Sequence, residues 1–398
     1  MKIAEQFETG AEVHSARRLR IAVLNRQFLS TGGGAERYSM ALVEQLAARH
    51  EVHVFAQKLD HQWPGVVYHR VSQLAQRPRW FNQLWYAVAT WWVTRKGFDV
   101  VHSHENTWHG NVQTVHVLPV RFNLFHDRQG WRRVLRWVKV VTSPRLLVYL
   151  ELERRRMSLS KPRAIVATSN SLLEQTAQAY PDCRFVMQVI TPGVAQAPGL
   201  ASATQRMAAR QSLGLPTRGH CVLMVGNDYR KKGLVVLIKA LAALPEDCYL
   251  AVVGNTDQIP LFMQHVAAVG LQKRIYFLGS CKNMDDVYEA ADYLAHPTLE
   301  DTFAMVVLEA MAHGLPVVVS QAKYCGIAGL LTHETHALLL DDPTDSTALV
   351  MAMRRLIQEP ALCQRLSHSA VEFASRHLWV KQARQQEAVY VGLCSPSR

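Results

Sequence analysis

The segment LEDTFAMVVLEAMAHGLPVVVS, Leu299 to Ser320, decides the fold. Asp301 or Thr302 is placed to N-cap a helix over Met305–His313, Gly314 stops it, and Pro316 lies just beyond. The apolar run Pro316–Val319 then reads as a buried strand. Helix, glycine stop and strand in this order form one turn of an α/β layer, where helical crossovers join parallel strands. Glu309 stands out because Leu308, Ala310 and Met311 flank it. A carboxylate there needs a partner, since unpaired burial costs on the order of several kcal/mol. The simpler reading, one polar position on an amphipathic helix, fits poorly because apolar residues cover most of the circumference.

Upstream the same alternation recurs. Cys221–Val225 (CVLMV) is a strand, VGNDYRKKG (Val225–Gly233) a glycine-framed loop, and Leu234–Leu244 a helix. Tyr249–Val253, Ile275–Leu278 and Tyr293–His296 read as strands, with helices over 258–269 and 285–291 between them. The loop sets Arg230, Lys231 and Lys232 directly before a helix, where glycines and helix amides hold phosphates and cations offset their charge. It lacks the GxxxxGK[ST] order, and alone it reads more readily as a solvated basic loop.

The first half opens with the strand Arg20–Leu24, the glycine loop Gly32, Gly33 and Gly34, a helix over Ala35–Arg49 and a strand at Glu51–Phe55. Asp99–His102, Val112–Val117, Ala164–Thr168 and Arg184–Ile190 are further candidate strands, and Leu146–Met157 a helix. Periodicity is weakest over Thr191–Gly219, and the linker is expected close to Pro192–Ala203. The expected organisation is an N-terminal extension (1–16), a first Rossmann-like domain (17–195), a second (196–375) and a C-terminal helix (376–398) packing back on the first. Two doubly wound domains of this kind face each other across a cleft at the carboxyl ends of their strands.

Composition agrees. The 398 residues are 49% hydrophobic and 19% charged, which excludes wholesale disorder. The apolar stretch Leu84–Val93 is half the ~20 residues of a spanning helix. Residues 1–16 carry glutamates and no apolar core, so no secretory signal is expected. Seven scattered cysteines without a CxxC read as reduced thiols of a cytoplasmic protein. The formal net charge of +12 favours a polyanionic partner. Twelve basic residues against Asp127, Glu151 and Glu153 lie between Pro119 and Arg163, interleaved with Trp131 and Trp137. Trp80, Phe81, Trp85, Trp91 and Trp92 precede them. No nucleic-acid reading element accompanies the charge, so an anionic membrane or phosphorylated substrate is the better expectation. His102, His104 and His109 could mimic a metal site, but no converging acid or cysteine supports one, and none is expected. His116 ends an apolar strand, where either a structural or an active-site histidine would sit.

Together these segments resemble the retaining family 4 glycosyltransferases of GT-B fold, from Arg20 to about residue 390. That family carries an acid, seven intervening residues and a glutamate, then an alanine and Gly-x-Pro-Val. Here Asp301, Glu309, Ala310, Gly314, Pro316 and Val317 fill those places, with Asp for the usual first Glu and Ala304 where glycine is common. The runs GNDYRKKGLVVLIKALAALPE and AADYLAHPTLEDTFAMVVLEA are similar to the lipopolysaccharide core glucosyltransferase I group within it. The resemblance implies roles residue by residue. Gly33, Gly34, Gly226, Lys231, Lys232 and Gly233, with the amides of Phe303, Ala304 and Met305, would bind the donor diphosphate. Glu309 would bind the ribose, Asp301 or Glu300 the donor hexose, and His116 the sugar from the opposite domain. The implied donor is UDP-glucose as co-substrate, with no cofactor. The implied acceptor is a lipid-linked phosphorylated glycan at the inner face of the cytoplasmic membrane. A GT-B sugar-nucleotide epimerase and, from the charge alone, a nucleic-acid-binding protein are the alternatives.

Overall fold

A computed structural model describes residues 17–29, 32–75, 77–126 and 128–394. The expected N-terminal extension, Asp127 and the last four residues lie outside the described residues. The first domain is a seven-stranded parallel sheet in the order Val66–Arg70, Glu51–Ala56, Arg20–Leu24, Val100–Ser103, Val112–Val115, Ala164–Ala167, Met187–Val189. The second has six parallel strands: Ile275–Gly279, Cys248–Val253, His220–Val225, Tyr293–His296, Val317–Ser320, Leu338–Leu340. The chain order reverses at Arg20–Leu24 in one sheet and at His220–Val225 in the other. Doubly wound sheets bind ligands in the crevice at such reversals.

The apolar runs are continuous because both faces of these strands are covered. Along His220–Val225, Cys221, Leu223 and Val225 enter one core, and Val222 and Met224 the other. Two expected strands are shorter than the hydrophobic pattern suggests. Arg184–Val186 belongs to a 3-10 turn opened by Pro181, leaving Met187–Val189 as strand. The strand from Val112 ends at Val115, so His116 stands one residue beyond its carboxyl end.

The chain crosses between domains twice, and the crossings are tied together. Val194 N–H donates to His377 O (2.9 Å), and Trp379 N–H donates to Val194 O (3.0 Å). Beyond this tie the helix Trp379–Cys394 adds Trp379, Ala383 and Tyr390 to the first domain's core. Glu387 on that helix accepts from Arg49 Nε (2.6 Å) and pairs with His50 Nε2 (2.9 Å).

Candidate active site

In the second domain the loop after Val225 and the loop after His296 are bound to each other. Gly233 has φ +81°, and a Cβ there would lie 2.1 Å from Pro297 O. At Gly226 a Cβ would lie 2.6 Å from Lys232 Cγ, so the lysine stem crosses the glycine directly. This steers Lys232 inward, where Nζ donates to Asp301 Oδ2 at 2.5 Å. Lys231 points outward to Glu300 (3.2 Å), an exposed pair of little energetic weight.

Asp301 is more enclosed than its expected sugar-binding role requires. Oδ2 also accepts from His296 Nε2 (3.2 Å), and Oδ1 accepts from Phe303 N–H (3.3 Å) and Ala304 N–H (2.8 Å). Burial alone would raise its pKa. The His296 hydrogen bond and the Lys232 charge outweigh burial and hold the carboxyl well below the usual carboxylate range. Four bonds use about as many lone pairs as a carboxylate offers. Asp301 here braces Lys232 and the loop rather than standing open as an acceptor.

The helix start differs from the expected cap. Neither Asp301 nor Thr302 is the N-cap of Met305–Ala312. Ala304 occupies that position, with φ 70° and ψ 69°. The Asp301 side chain reaches over the turn to the two preceding amides instead. Phe303 and Ala304 N–H are therefore spent on Asp301, while Met305 N–H has no acceptor among the described residues.

Glu309 lies one helical turn further on, and its partner comes from the other domain. Arg37 Nη2 donates to Glu309 Oε1, and Tyr288 Oη donates to Oε2 at 2.6 Å. Arg37 follows the glycine loop by one turn on the helix Gly34–Ala47. The Glu309 charge holds the Arg37 guanidinium more firmly protonated, and burial beside Glu309 keeps the Tyr288 phenol a donor. The starts of the two helices come close: a Cβ at Gly34 would lie 3.8 Å from Met305 Sδ. Two helix N-termini thus meet at the cleft, each with free amide character and a partial positive charge.

From the first domain, His116 reaches the same region. Its carbonyl accepts from Thr302 Oγ1 (2.8 Å), and Thr302 O in turn accepts from Ser169 Oγ (2.6 Å). His116 Nε2 is 2.9 Å from His104 Nδ1. Behind them Arg156 is buried without a carboxylate partner within ion-pair distance among the described residues. Its Nε donates to Gln113 Oε1 (2.9 Å) and its Nη2 to Thr114 O (2.5 Å). Burial, reinforced by Arg156, pushes the His116 imidazole down to about 3.

The structure thus brings Gly33, Gly34, Gly226, Lys232, Gly233, Asp301, Met305, Glu309 and His116 around one cleft, and turns Lys231 to its rim. Sequence reasoning missed Arg37, Tyr288 and His296. Arg37 carried one signal, a cation one turn into the helix after a glycine loop. Among the described residues no group of three or more metal-ligating side chains converges.

Comparison with known proteins gives a consistent pattern. Residues 32–196 match the family described as Glycosyltransferase Family 4, and residues 205–373 match Glycosyl transferases group 1. The D-inositol 3-phosphate glycosyltransferase of Corynebacterium glutamicum is 32% identical over 218 residues, 51% of this chain and 51% of that protein. The lipopolysaccharide glucosyltransferase WaaG of Escherichia coli is 25% identical over 234 residues, 57% of this chain and 61% of that protein. The chain thus spans about half the length of the curated relatives it matches. A crystal structure of WaaG, described as a glycosyltransferase involved in lipopolysaccharide biosynthesis, superposes with a TM-score of 0.81 at 20% identity, covering 94% of this chain and 100% of that one. Anabaena HepE in complex with UDP and glucose gives 0.74 at 19% identity, over the same shares.

Proposed function

Because the chain belongs to glycosyltransferase family 4, with two Rossmann-like domains in the GT-B arrangement, we propose that it transfers a hexose from a nucleotide diphosphate sugar. The donor is UDP-glucose and the acceptor a lipopolysaccharide core or related lipid-linked glycan. Configuration is retained and no metal takes part. One observation carries this reading: the N-termini at Gly34 and Met305 meet, with Arg37 and Glu309 one turn along each helix.

That geometry suits a departing nucleotide diphosphate. Negative charge grows on it as the anomeric centre becomes oxocarbenium-like, and fixed donors placed where charge develops lower the barrier. Met305 N–H, the glycine-loop amides and Lys232 supply such donors. Glu309 keeps two lone-pair sites beyond those used by Arg37 and Tyr288, enough for the two ribose hydroxyls. In the transfer the bond from C1 to the phosphate oxygen breaks and the acceptor oxygen bonds C1 on the same face. The acceptor's proton passes to the released phosphate oxygen, so no side-chain base is needed. Three nucleotide complexes of a structural neighbour, with UDP and glucose, with UDP-glucose and with UDP, support the choice of donor.

The basic, tryptophan-bearing surface of the first domain supports peripheral attachment to the inner face of the cytoplasmic membrane, beside a lipid-linked acceptor. No helix among the described residues is long and apolar enough to cross a membrane. The test is incubation with radiolabelled UDP-sugars and a lipopolysaccharide core acceptor, with and without EDTA. Label in the acceptor, insensitive to EDTA, is expected. An epimerised donor with no transfer, or no turnover of any nucleotide sugar, overturns the reading.

A further inference from the structure

Two histidines meet at the carboxyl ends of neighbouring strands, and the sequence assigns a role to only one of them. The strands Val100–Ser103 and Val112–Val115 pair in parallel, with Ser103 opposite Gln113. His104 and His116 follow those ends, their rings nearly parallel at 20° and 5.2 Å between centroids. Nδ1 of His104 and Nε2 of His116 are 2.9 Å apart. His104 is 8% exposed, and its other nitrogen, Nε2, is buried without a partner. His116 is half-buried, and its Nδ1 is neither bonded to protein nor sealed from solvent among the described residues.

We propose that His104 fixes the tautomer of His116, so that His116 offers an Nδ1–H donor to the bound ligand and not a basic lone pair. This rests on the reading above, in which His116 faces the transferred sugar. One proton lies between the two rings, and two neutral arrangements allow it. If His116 Nε2 donates, His104 carries its own proton on Nε2, an N–H buried with no acceptor. If His104 Nδ1 donates, its Nε2 is a bare nitrogen, and His116 carries its proton on Nδ1. Orphaned buried N–H groups are the rarer defect in folded proteins, because an unshared donor forfeits its whole hydrogen bond. The second arrangement is the one the burial pattern favours. Neither ring takes a second proton, because burial disfavours it first and the Arg156 guanidinium adds to that. The remaining groups around the pair do not alter the choice. The His102 nitrogens are held by Tyr390 Oη (2.7 Å) and Thr114 Oγ1 (2.6 Å), and the Tyr38 hydroxyl points to Ile190 O (3.4 Å).

The consequence is chemical. A neutral His116 with its proton on Nδ1 donates to a sugar hydroxyl or phosphate oxygen and cannot remove the acceptor's proton. His104 is then a positioning residue acting through His116. The tautomer is read directly by long-range ¹⁵N–¹H correlation on the uniformly labelled full chain, with His116 assigned by its loss in His116→Gln. Protonated Nδ1 and bare Nε2 on His116, unchanged from pH 6 to 8, are expected. His104→Asn, whose amide places an N–H near the former Nδ1, retains that pattern and most of the turnover. His104→Leu releases it, and kcat falls roughly tenfold or more through lost orientation while the donor KM moves little. A wild-type His116 protonated on Nε2, or a tautomer unchanged in His104→Leu, overturns the proposal. The wild-type spectrum needs no substrate, and its assignment only a folded His116→Gln, so the tautomer it reports is independent of whether the transfer reaction is found.

Discussion

Glu309 and Lys232 hold the two ends of the site and do so by different means. Glu309 is shared between Arg37 and Tyr288, so an incoming ribose adds to a carboxylate already fixed in place. Glu309→Ala removes the only carboxylate at this position. It should abolish the thermal stabilisation that UDP confers on the wild type, about 2.7 kcal/mol at a hundredfold excess over Kd. Normal UDP stabilisation of that variant, followed by differential scanning fluorimetry, would remove Glu309 from the nucleotide site. Lys232 is held by Asp301 before any ligand arrives, so its charge matters most when the diphosphate departs. Lys232→Ala should lower kcat by roughly 10²–10³ with a smaller change in donor KM. Steady-state kinetics with UDP-glucose decide this, and a variant with wild-type kcat places Lys232 outside the reaction.

Individual elements add two further expectations. The helix Met305–Ala312 starts from Ala304 at φ 70°, a conformation costing an L-residue about 1–2 kcal/mol and glycine almost nothing. Ala304→Gly should therefore raise Tm slightly and keep activity, since the relief outweighs the ~0.4–1 kcal/mol that glycine costs through the unfolded chain. A clear fall in Tm would mean the alanine methyl contributes packing that offsets the strain. The buried His102 on the strand ending at Ser103 and the half-buried His116 just beyond Val115 are both pushed down to about 3, by burial first. The sign follows from linkage: the unfolded chain binds these protons below about pH 6.5 and the folded chain does not. Stability is complete above pH 6.5 and is lost as pH falls toward 3, by about 1.4 kcal/mol per pH unit for each histidine. Urea midpoints measured between pH 7 and 4.5 should fall throughout, and His102→Gln should shallow the slope. These elements also show where the sequence was legible. Strand–glycine–helix alternation is local chemistry, so the two sheets, both glycine loops and the Glu309 helix could be read from spacing. Pairing across 272 positions, as in Arg37 with Glu309, leaves no local trace. Nor does the left-handed Ala304, because alanine by itself favours the helix interior.

At the scale of the whole molecule, the cleft is tied by Val194 to His377 and Trp379, and one outer face of the first domain remains uncovered. The helix Trp131–Val141 leaves Trp131 69%, Val134 62%, Leu135 56% and Trp137 50% exposed. Arg132, Arg133, Arg136 and Lys139 are interleaved with them. On the helix Arg79–Thr94, Trp92 is 59% exposed, with the Arg95 guanidinium 3.8 Å from its ring centroid. Tryptophans of a packed core would be covered, and these are not. Their spacing with cations suits the proposed membrane attachment, in which apolar edges would face the lipid and N–H groups stay wet. Each Lys or Arg near anionic lipid contributes about 1 kcal/mol, so four of them would add about 4 kcal/mol to the proposed attachment. Liposome sedimentation should show binding to vesicles containing anionic lipid, weak binding to neutral ones, and release in 0.5 M salt, where the Debye length is roughly 4 Å. Trp131→Ala with Trp137→Ala should weaken binding while leaving nucleotide stabilisation intact, because neither residue touches the cleft groups. Equal binding to neutral vesicles, or insensitivity to salt, would refute electrostatic docking. The acceptor would then have to reach the cleft from solution.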